Sequence, residues 1–289
     1  MARTVLCLVL LLAIGVCVES SPEGRVECIY SSSNQKRPGT YSLQIEDIPT
    51  EYCTHVIYDH ITFEHSSMTI IPSNPEYDVV QNGWVKFIDL KKTNPKLKLL
   101  IVADSVSLIP AFDSSNSHTY LMAPLNNSTF EASDVQDVSI THSVQKWLKN
   151  GCPANKMILG VRFTGTTFTL EDPANNGVYA PVNDYGNPCP VTGIPTYCAY
   201  FELCQKFNET EWTFKWDEDG ACPYAFQGDQ WVSYENAVSV EQKASFAKTK
   251  GLGGVFSVHI GYDDYRGICG EKYPLIKALW KGFRAKSIQ

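Results

Sequence analysis

Apolar positions along this chain come in short blocks separated by turn residues, and the blocks alternate between two periods. Residues 157–170 (MILGVRFTGTTFTL) read as a strand: β-branched and aromatic residues in a run too short and too glycine-flanked for a helix. Residues 251–265 (GLGGVFSVHIGYDDY) read the same way, and 27–33, 52–63 and 98–103 supply three earlier strands. Between them the period lengthens. Residues 82–92 place Val85, Ile88 and Leu90 at helical spacing before the stop Thr93-Asn94-Pro95. Residues 138–150 put Ile140, Val144, Trp147 and Leu148 on one face, with Gly151 behind them as a C-terminal signal. Helices are also predicted over 45–48, over 239–250, ending at Gly251, and over 273–283. The order βαβαβ predicts a parallel sheet with helices outside it.

Two stretches break that order. Residues 104–137 are rich in Ser, Asn and Thr and read as loop. Residues 171–235 read as an insertion. Its first part is made of turns by Pro181, Gly186, Pro188, Pro190, Gly193 and Pro195, and a short helix follows over 197–206. A hairpin then pairs 223–226 with 230–233 around Gly228-Asp229.

The amino terminus changes the picture. Arg3 precedes an apolar run over 5–18, with small residues near Ser20, which predicts a secretory leader over 1–20 and a secreted, extracellular chain with no membrane span. Removing it discards Cys7 and Cys17. It leaves eight cysteines, Cys28, Cys53, Cys152, Cys189, Cys198, Cys204, Cys222 and Cys269, which in an oxidising compartment read as up to four disulfides. No C-x-x-C pair occurs, so structural zinc is not expected. Sequons at Asn126, Asn127 and Asn208 are permissive for N-glycosylation. The net charge of −7 excludes nucleic acid and an anionic membrane surface as expected partners.

Several segments carry a resemblance. Cys28-Ile29-Tyr30, Arg37-Pro38-Gly39, Asp47-Ile48 and Cys53-Thr54-His55-Val56-Ile57-Tyr58 resemble the first two strands of family 18 glycoside hydrolases, the chitinases and chitinase-like lectins. The strands at 157–170 and 251–265 resemble that family's last two barrel strands. Gly253-Gly254, Asp263-Asp264, Tyr273-Pro274-Leu275-Ile276 and Gln230-Trp231-Val232 match family positions too, and their plain reading is packing and helix capping. The resemblance implies an α/β fold: a TIM-type (β/α)8 barrel with an α+β insertion between strands seven and eight. The divisions are a leader over 1–20, barrel over 21–170, insertion over 171–235 and barrel again over 236–289. It also implies disulfides Cys28–Cys53 and Cys204–Cys269. Cys152, Cys189, Cys198 and Cys222 fall outside the family pattern and their pairing stays open.

The family's chemistry is absent from the sequence. Its catalytic glutamate ends a D-x-x-D-x-D-x-E run whose aspartates orient the substrate acetamido group and help set the acid's pKa. No such run occurs. The nearest, Asp134-Val135-Gln136-Asp137, continues with Ser139 and Thr141 where the third aspartate and the glutamate belong. Strands four to six are also missing, about three βα units of roughly 30 residues each, so the barrel is expected to be incomplete, with strands one to three, seven and eight. Ser33, Asp104-Ser105-Val106, Thr164, Thr166 and Val258 stand where the family holds its sugar-stacking aromatics and their polar neighbours.

These features predict a secreted, non-catalytic chitinase-like protein that binds chitin, another glycan or an extracellular protein. The alternative is a chitinase-type glycoside hydrolase acting on N-acetylglucosamine polymers. No cofactor and no catalytic residue are assigned. His55, His60 and His65 do not form a ligand set on one face of a strand. Asp217-Glu218-Asp219-Gly220 reads as a solvated turn, not a calcium loop, because the later ligands are missing. Trp212 and Trp216 read as core of the insertion, and Ser105 and Ser107 lie in no nucleophile motif.

Overall fold

A computed structural model describes residues 24–64, 69–103, 118–129 and 139–284. The leader, His65, Ser105, Ser107, the 104–106 substitution and the Asp134–Asp137 segment lie outside these residues.

Five parallel strands form the frame: β1 (Arg25–Ser31), β2 (His55–Glu64), β4 (Lys98–Ala103), β5 (Ile158–Arg162) and β12 (Gly254–Val258). Their spatial order is β4-β2-β1-β12-β5, and β3 (Thr69–Pro72) folds back antiparallel on the far end of β2. The first and last strands of the chain's frame are thus neighbours, with Arg25 opposite Gly254 and Cys28 opposite Ser257. That is the arrangement of a barrel, and the whole matches an α/β TIM-like fold with an insertion. The outer face of the sheet packs under α1 (Gly83–Thr93), α4 (Ala237–Thr249) and α5 (Pro274–Arg284). Val26, Cys28, Tyr30, Val56, Tyr58, Leu159, Val161 and Val255 form one core with Phe87, Val240, Ala244, Leu275 and Leu279. A further helix, α2 (Ile140–Lys149), adds Ile140 and Val144 to it, with Trp147 and Leu148 packed against it.

The strand predicted over 157–170 is two strands in two sheets, which corrects that reading. β5 ends at Arg162 and β6 (Thr164–Leu170) begins a second, antiparallel sheet of order β7-β6-β11-β10-β9. The members are β7 (Val182–Tyr185), β9 (Thr213–Asp217), β10 (Cys222–Gln227) and β11 (Gln230–Tyr234), with β8 (Tyr197–Ala199) also on β6. The pivot is Phe163, fully buried, whose N–H donates to Val258 O and whose carbonyl accepts from Tyr200 N. An unbroken apolar period conceals such a crossing, because both halves are buried.

Other elements differ in detail. The helix predicted over 197–206 starts three residues later, as α3 (Tyr200–Glu209), because residues 197–199 pair with β6. The helix predicted over 45–48 is a single 3-10 turn, Ile45–Asp47. In α1 the buried residues are Gly83, Phe87 and Leu90, while Val85 and Ile88 are exposed. Phe87 packs edge-on against Tyr58 at 5.2 Å, and that ring pair selects the face.

Cys28 is bonded to Cys53, Cys204 to Cys269, and Cys189 to Cys198. The 25-residue separation of the first pair corresponds to about 3 kcal/mol of lost unfolded-state freedom. The sequence allowed up to four disulfides, but Cys222 is a buried thiol, pushed up to about 12 by burial. No helix among the described residues is long and apolar enough to cross a membrane.

Candidate functional site at the carboxyl ends of the parallel strands

Strand alternation assigns one face of the frame to the barrel interior. On β1 it carries Arg25, Glu27, Ile29 and Ser31. Register places His55, Ile57 and Asp59 of β2 beside the last three. Near the strand starts this face is charged: Arg25 and Glu27 are buried and paired at 3.7 Å. Burial raises Glu27, with Arg25 opposing that shift. Burial also pushes His55 down to about 4, helped by Arg25 and Lys98, while Thr54 Oγ1 lies 2.8 Å from its Nδ1.

The carboxyl ends, where barrel enzymes place their chemistry, carry a different set. Ser31 stands opposite Asp59, and Val258 opposite Arg162. His259, just past β12, holds Nε2 3.9 Å from Asp59 Oδ2 and meets the Tyr262 ring edge-on at 5.5 Å. The Arg162 guanidinium lies 5.6 Å from the centre of the Tyr197 ring, which is 6.2 Å from that of Tyr262. Arg37 covers both Phe201 and Tyr262 at 5.4 Å and donates through Nη1 to Gly261 O at 2.6 Å. Burial, then Tyr197, raises the Tyr262 phenol, against the opposing charge of both arginines. Burial also raises Tyr120, and Arg162 again opposes. The result is a half-buried patch of guanidinium groups among tyrosines beside a histidine–carboxylate pair. It suits hydrogen bonding to acceptor groups and stacking of a flat or sugar-like face.

Of these residues the sequence had singled out Arg37 and Val258, through their family positions, and not Asp59, Arg162, Tyr197, His259 or Tyr262. Arg162 was the available signal: a charged residue in an otherwise apolar strand, one place before the crossing.

The residues singled out from sequence are scattered. Ser33 is exposed, its hydroxyl 2.8 Å from that of Ser31. Thr164 is buried with Oγ1 on Met122 Sδ, and Thr166 pairs with Tyr197 through backbone. Ser139 caps α2, accepting from His142 N, and Thr141 donates to Leu125 O and Asn126 Oδ1 from the first turn. Ser139 and Thr141 therefore stand at the start of a helix and not on a barrel strand. His55 and His60 both lie on β2. Asp217 is not a solvated turn residue: it is buried, with one oxygen accepting from Gly220 N and the other from Ser128 Oγ. Trp212 packs edge-on against Phe207 at the rim of the small core and donates to Thr210 Oγ1, while Trp216 is half-buried. Asn126, Asn127 and Asn208 are all exposed.

Comparison with known proteins fits this geometry. The model of the family described as "Glycosyl hydrolases family 18" matches residues 102–263. An endochitinase of Manduca sexta is 26% identical over 392 aligned positions, covering 96% of this chain and 71% of the relative. Those positions outnumber the 289 residues of the chain, so the relative holds stretches with no counterpart here. Chitotriosidase-1 of Mus musculus is 38% identical over 159 residues, 54% of this chain and 33% of the relative. Among solved structures, human YKL-39, described as a pseudo-chitinase with retained chitooligosaccharide binding properties, superposes with a TM-score of 0.78 at 20% identity. The match covers 90% of this chain and 99% of that one.

Proposed function

The chain belongs to glycosyl hydrolases family 18, and from that premise we propose that it is a secreted, non-catalytic chitinase-like protein that acts by binding. The observation that carries this is the composition of the strand ends. Hydrolysis in this family needs the glutamic acid that ends a D-x-x-D-x-D-x-E run, positioned to protonate the glycosidic oxygen. The sequence holds no D-x-x-D-x-D-x-E run. Among the described residues, the strand ends offer Asp59 paired with His259, and Arg162 among tyrosines. Glu27 has the raised pKa expected of an acid catalyst, but it sits near the start of β1, buried and held by Arg25.

An incomplete barrel, with strands four to six absent, would lead to the same reading. Among the described residues, β4 and β5 each have one parallel neighbour, and the alignment with the Manduca enzyme is longer than the chain. Both fit a frame that keeps strands one to three, seven and eight and lacks the catalytic middle. Secretion is supported by three disulfides. The ligand is a glycan whose acetamido or carboxylate oxygens accept from Arg162 while a ring face lies on Tyr197 or Tyr262; chitin fragments are the first to test.

The test is a chitin pull-down of the secreted, disulfide-intact protein, with a chito-oligosaccharide hydrolysis assay on the same sample. Binding without turnover, reduced by Arg162→Ala, is the expected result. Turnover would overturn the non-catalytic reading and restore a chitinase-type hydrolase. Absence of both would move the search to protein partners.

A further inference from the structure

Away from the strand ends, α3 and the segment after β12 enclose an open cavity of about 300 Å³, lined by Tyr41, Gln205, Asn208, Glu209, Arg266 and Ile268. That volume is at the small end of ligand sites. Its wall is built. Tyr41 Oη donates to Gln205 Oε1 at 3.0 Å, and Gln205 Nε2 donates to Glu209 Oε1 at 2.8 Å. The Arg266 guanidinium lies 4.9 Å over the Tyr41 ring. The Cys204–Cys269 disulfide ties the two sides together next to Ile268.

One lining residue is itself an attachment point. Asn208 begins the sequon Asn208-Glu209-Thr210 and is exposed in the last turn of α3. Its Nδ2 donates to Ile268 O at 3.3 Å across the cavity rim. An asparagine amide nitrogen carries two hydrogens. Glycosylation replaces one with the sugar and leaves the other, which is the number this bond requires. We propose that this cavity is the seat of the first N-acetylglucosamine of a glycan carried by Asn208, and that the seated sugar braces α3 against the segment that follows β12.

The step balances with a polyprenyl-diphosphate-linked oligosaccharide as donor. A bond forms between Nδ2 and the sugar C1, the C1–O bond to diphosphate breaks, and the amide proton leaves as the diphosphate departs. Once the chain folds, Asn208 keeps its bond to Ile268 O. The sugar lies beside Gln205, Glu209 and Arg266, whose amide, carboxylate and guanidinium match hydroxyl and acetamido groups. Only this first ring fits; the rest of the glycan extends into solvent. The proposal relies on passage through the secretory lumen and is independent of whether the strand ends bind or hydrolyse a glycan.

The experiment uses the full chain secreted from a eukaryotic host, with Asn126→Gln and Asn127→Gln so that Asn208 carries the remaining sequon. Glycopeptide mass spectrometry reads its occupancy. Melting is then compared for the intact glycan, for protein trimmed by an endoglycosidase to a single N-acetylglucosamine, and for sugar-free protein refolded from a non-glycosylating host. Should the refolded form be unobtainable, protein secreted from cells whose lipid-linked oligosaccharide synthesis is inhibited, which keeps Asn208 as asparagine, replaces it. The expected result is equal melting of intact and trimmed forms, with the sugar-free form lower by about 2–4 °C. Arg266→Ala should remove that difference. An unoccupied Asn208, or a trimmed form that melts with the sugar-free one, would overturn the proposal.

Discussion

Lys243 and Glu235 form an ion pair with neither side chain reaching solvent, 0% and 1% exposed, at the junction between the end of β11 and helix α4. Ser239 Oγ donates to the second Glu235 oxygen at 2.6 Å, and the Glu235 backbone N–H reaches Thr164 O, so the pair joins the insertion sheet to the barrel helix. Removing one partner of such a pair leaves a buried charge and costs about 3–5 kcal/mol, whereas replacing both with apolar residues is often close to neutral. Lys243→Met is therefore expected to lower the urea midpoint far more than the double variant Lys243→Met/Glu235→Leu. Equal losses in the two proteins would show that the pair is not coupled.

Two groups, the half-buried His55 and the buried Asp263, give stability opposite pH dependences. His55 is depressed to about 4, below its ordinary value near 6.5, so its contribution is full above about 6.5 and is lost as pH falls toward 4. Burial pushes Asp263 up to about 7, although it accepts from the N–H groups of Asp264, Leu275 and Ile276. Its folded value exceeds its unfolded one, so its contribution is full below about 4 and is lost as pH rises through 7. His55→Gln should flatten the loss of unfolding free energy on the acid side. Asp263→Asn should remove the decline between pH 4 and 7, and it is the slope that matters, since the amide also loses an acceptor. Wild-type slopes in both variants would contradict these assignments.

The frame was legible in the sequence because its strands and helices are long, periodic and closed by turn chemistry, and because Cys28, Cys53 and the Gly253-Gly254 pair stand at family positions. Three things were not. The crossing at Phe163 lies inside one continuous apolar run, where burial on both sides erases the period. The strands β7 and β9 are short and largely exposed: Val182–Tyr185 has no alternation of apolar residues, and in Thr213–Asp217 the alternation of Phe214 and Trp216 spans only five residues. The patch at the strand ends unites Arg37, Arg162, Tyr197 and Tyr262 from four separate segments, and no spacing rule connects them.

Gly253 and Gly254 show why a family position can be pure packing. Neither needs a positive φ; both are places where another backbone comes too close for a side chain. A Cβ on Gly253 would lie 2.4 Å from Asn155 O, and one on Gly254 would lie 2.6 Å from Arg25 O. Backbone cannot swing aside as a flexible side chain can, so either alanine must separate β12 from its neighbours. Gly253→Ala and Gly254→Ala are each expected to cost about 1–3 kcal/mol by overpacking. Alanine at Gly251, which has nothing within 4 Å, costs only through its φ of +68°. Urea unfolding of the three variants checks this, and unchanged stability at 253 and 254 would contradict the close approach.

The overlapping sequons at Asn126 and Asn127 are equivalent on paper and different once folded. Asn126 Nδ2 donates to Asp219 O at 3.3 Å, and its Oδ1 accepts from Thr141 Oγ1 at 2.9 Å, so its amide is held against the Asp217–Gly220 turn. Ser128 and Thr129, the two hydroxyl residues of the sequons, are bonded to Asp217 and Asp219 in the same clasp. Asn127 is exposed beside that clasp and leaves it intact when modified. A glycan on Asn126 would have to displace the turn, so chains modified there fold less well and are depleted from the secreted pool. Glycopeptide mapping of secreted protein should find the sugar on Asn127. Asn127→Gln should abolish glycosylation of this peptide, and Asn126→Gln should leave it. Occupancy confined to Asn126 would mean that the turn yields to the glycan and that the clasp is weaker than its four hydrogen bonds indicate.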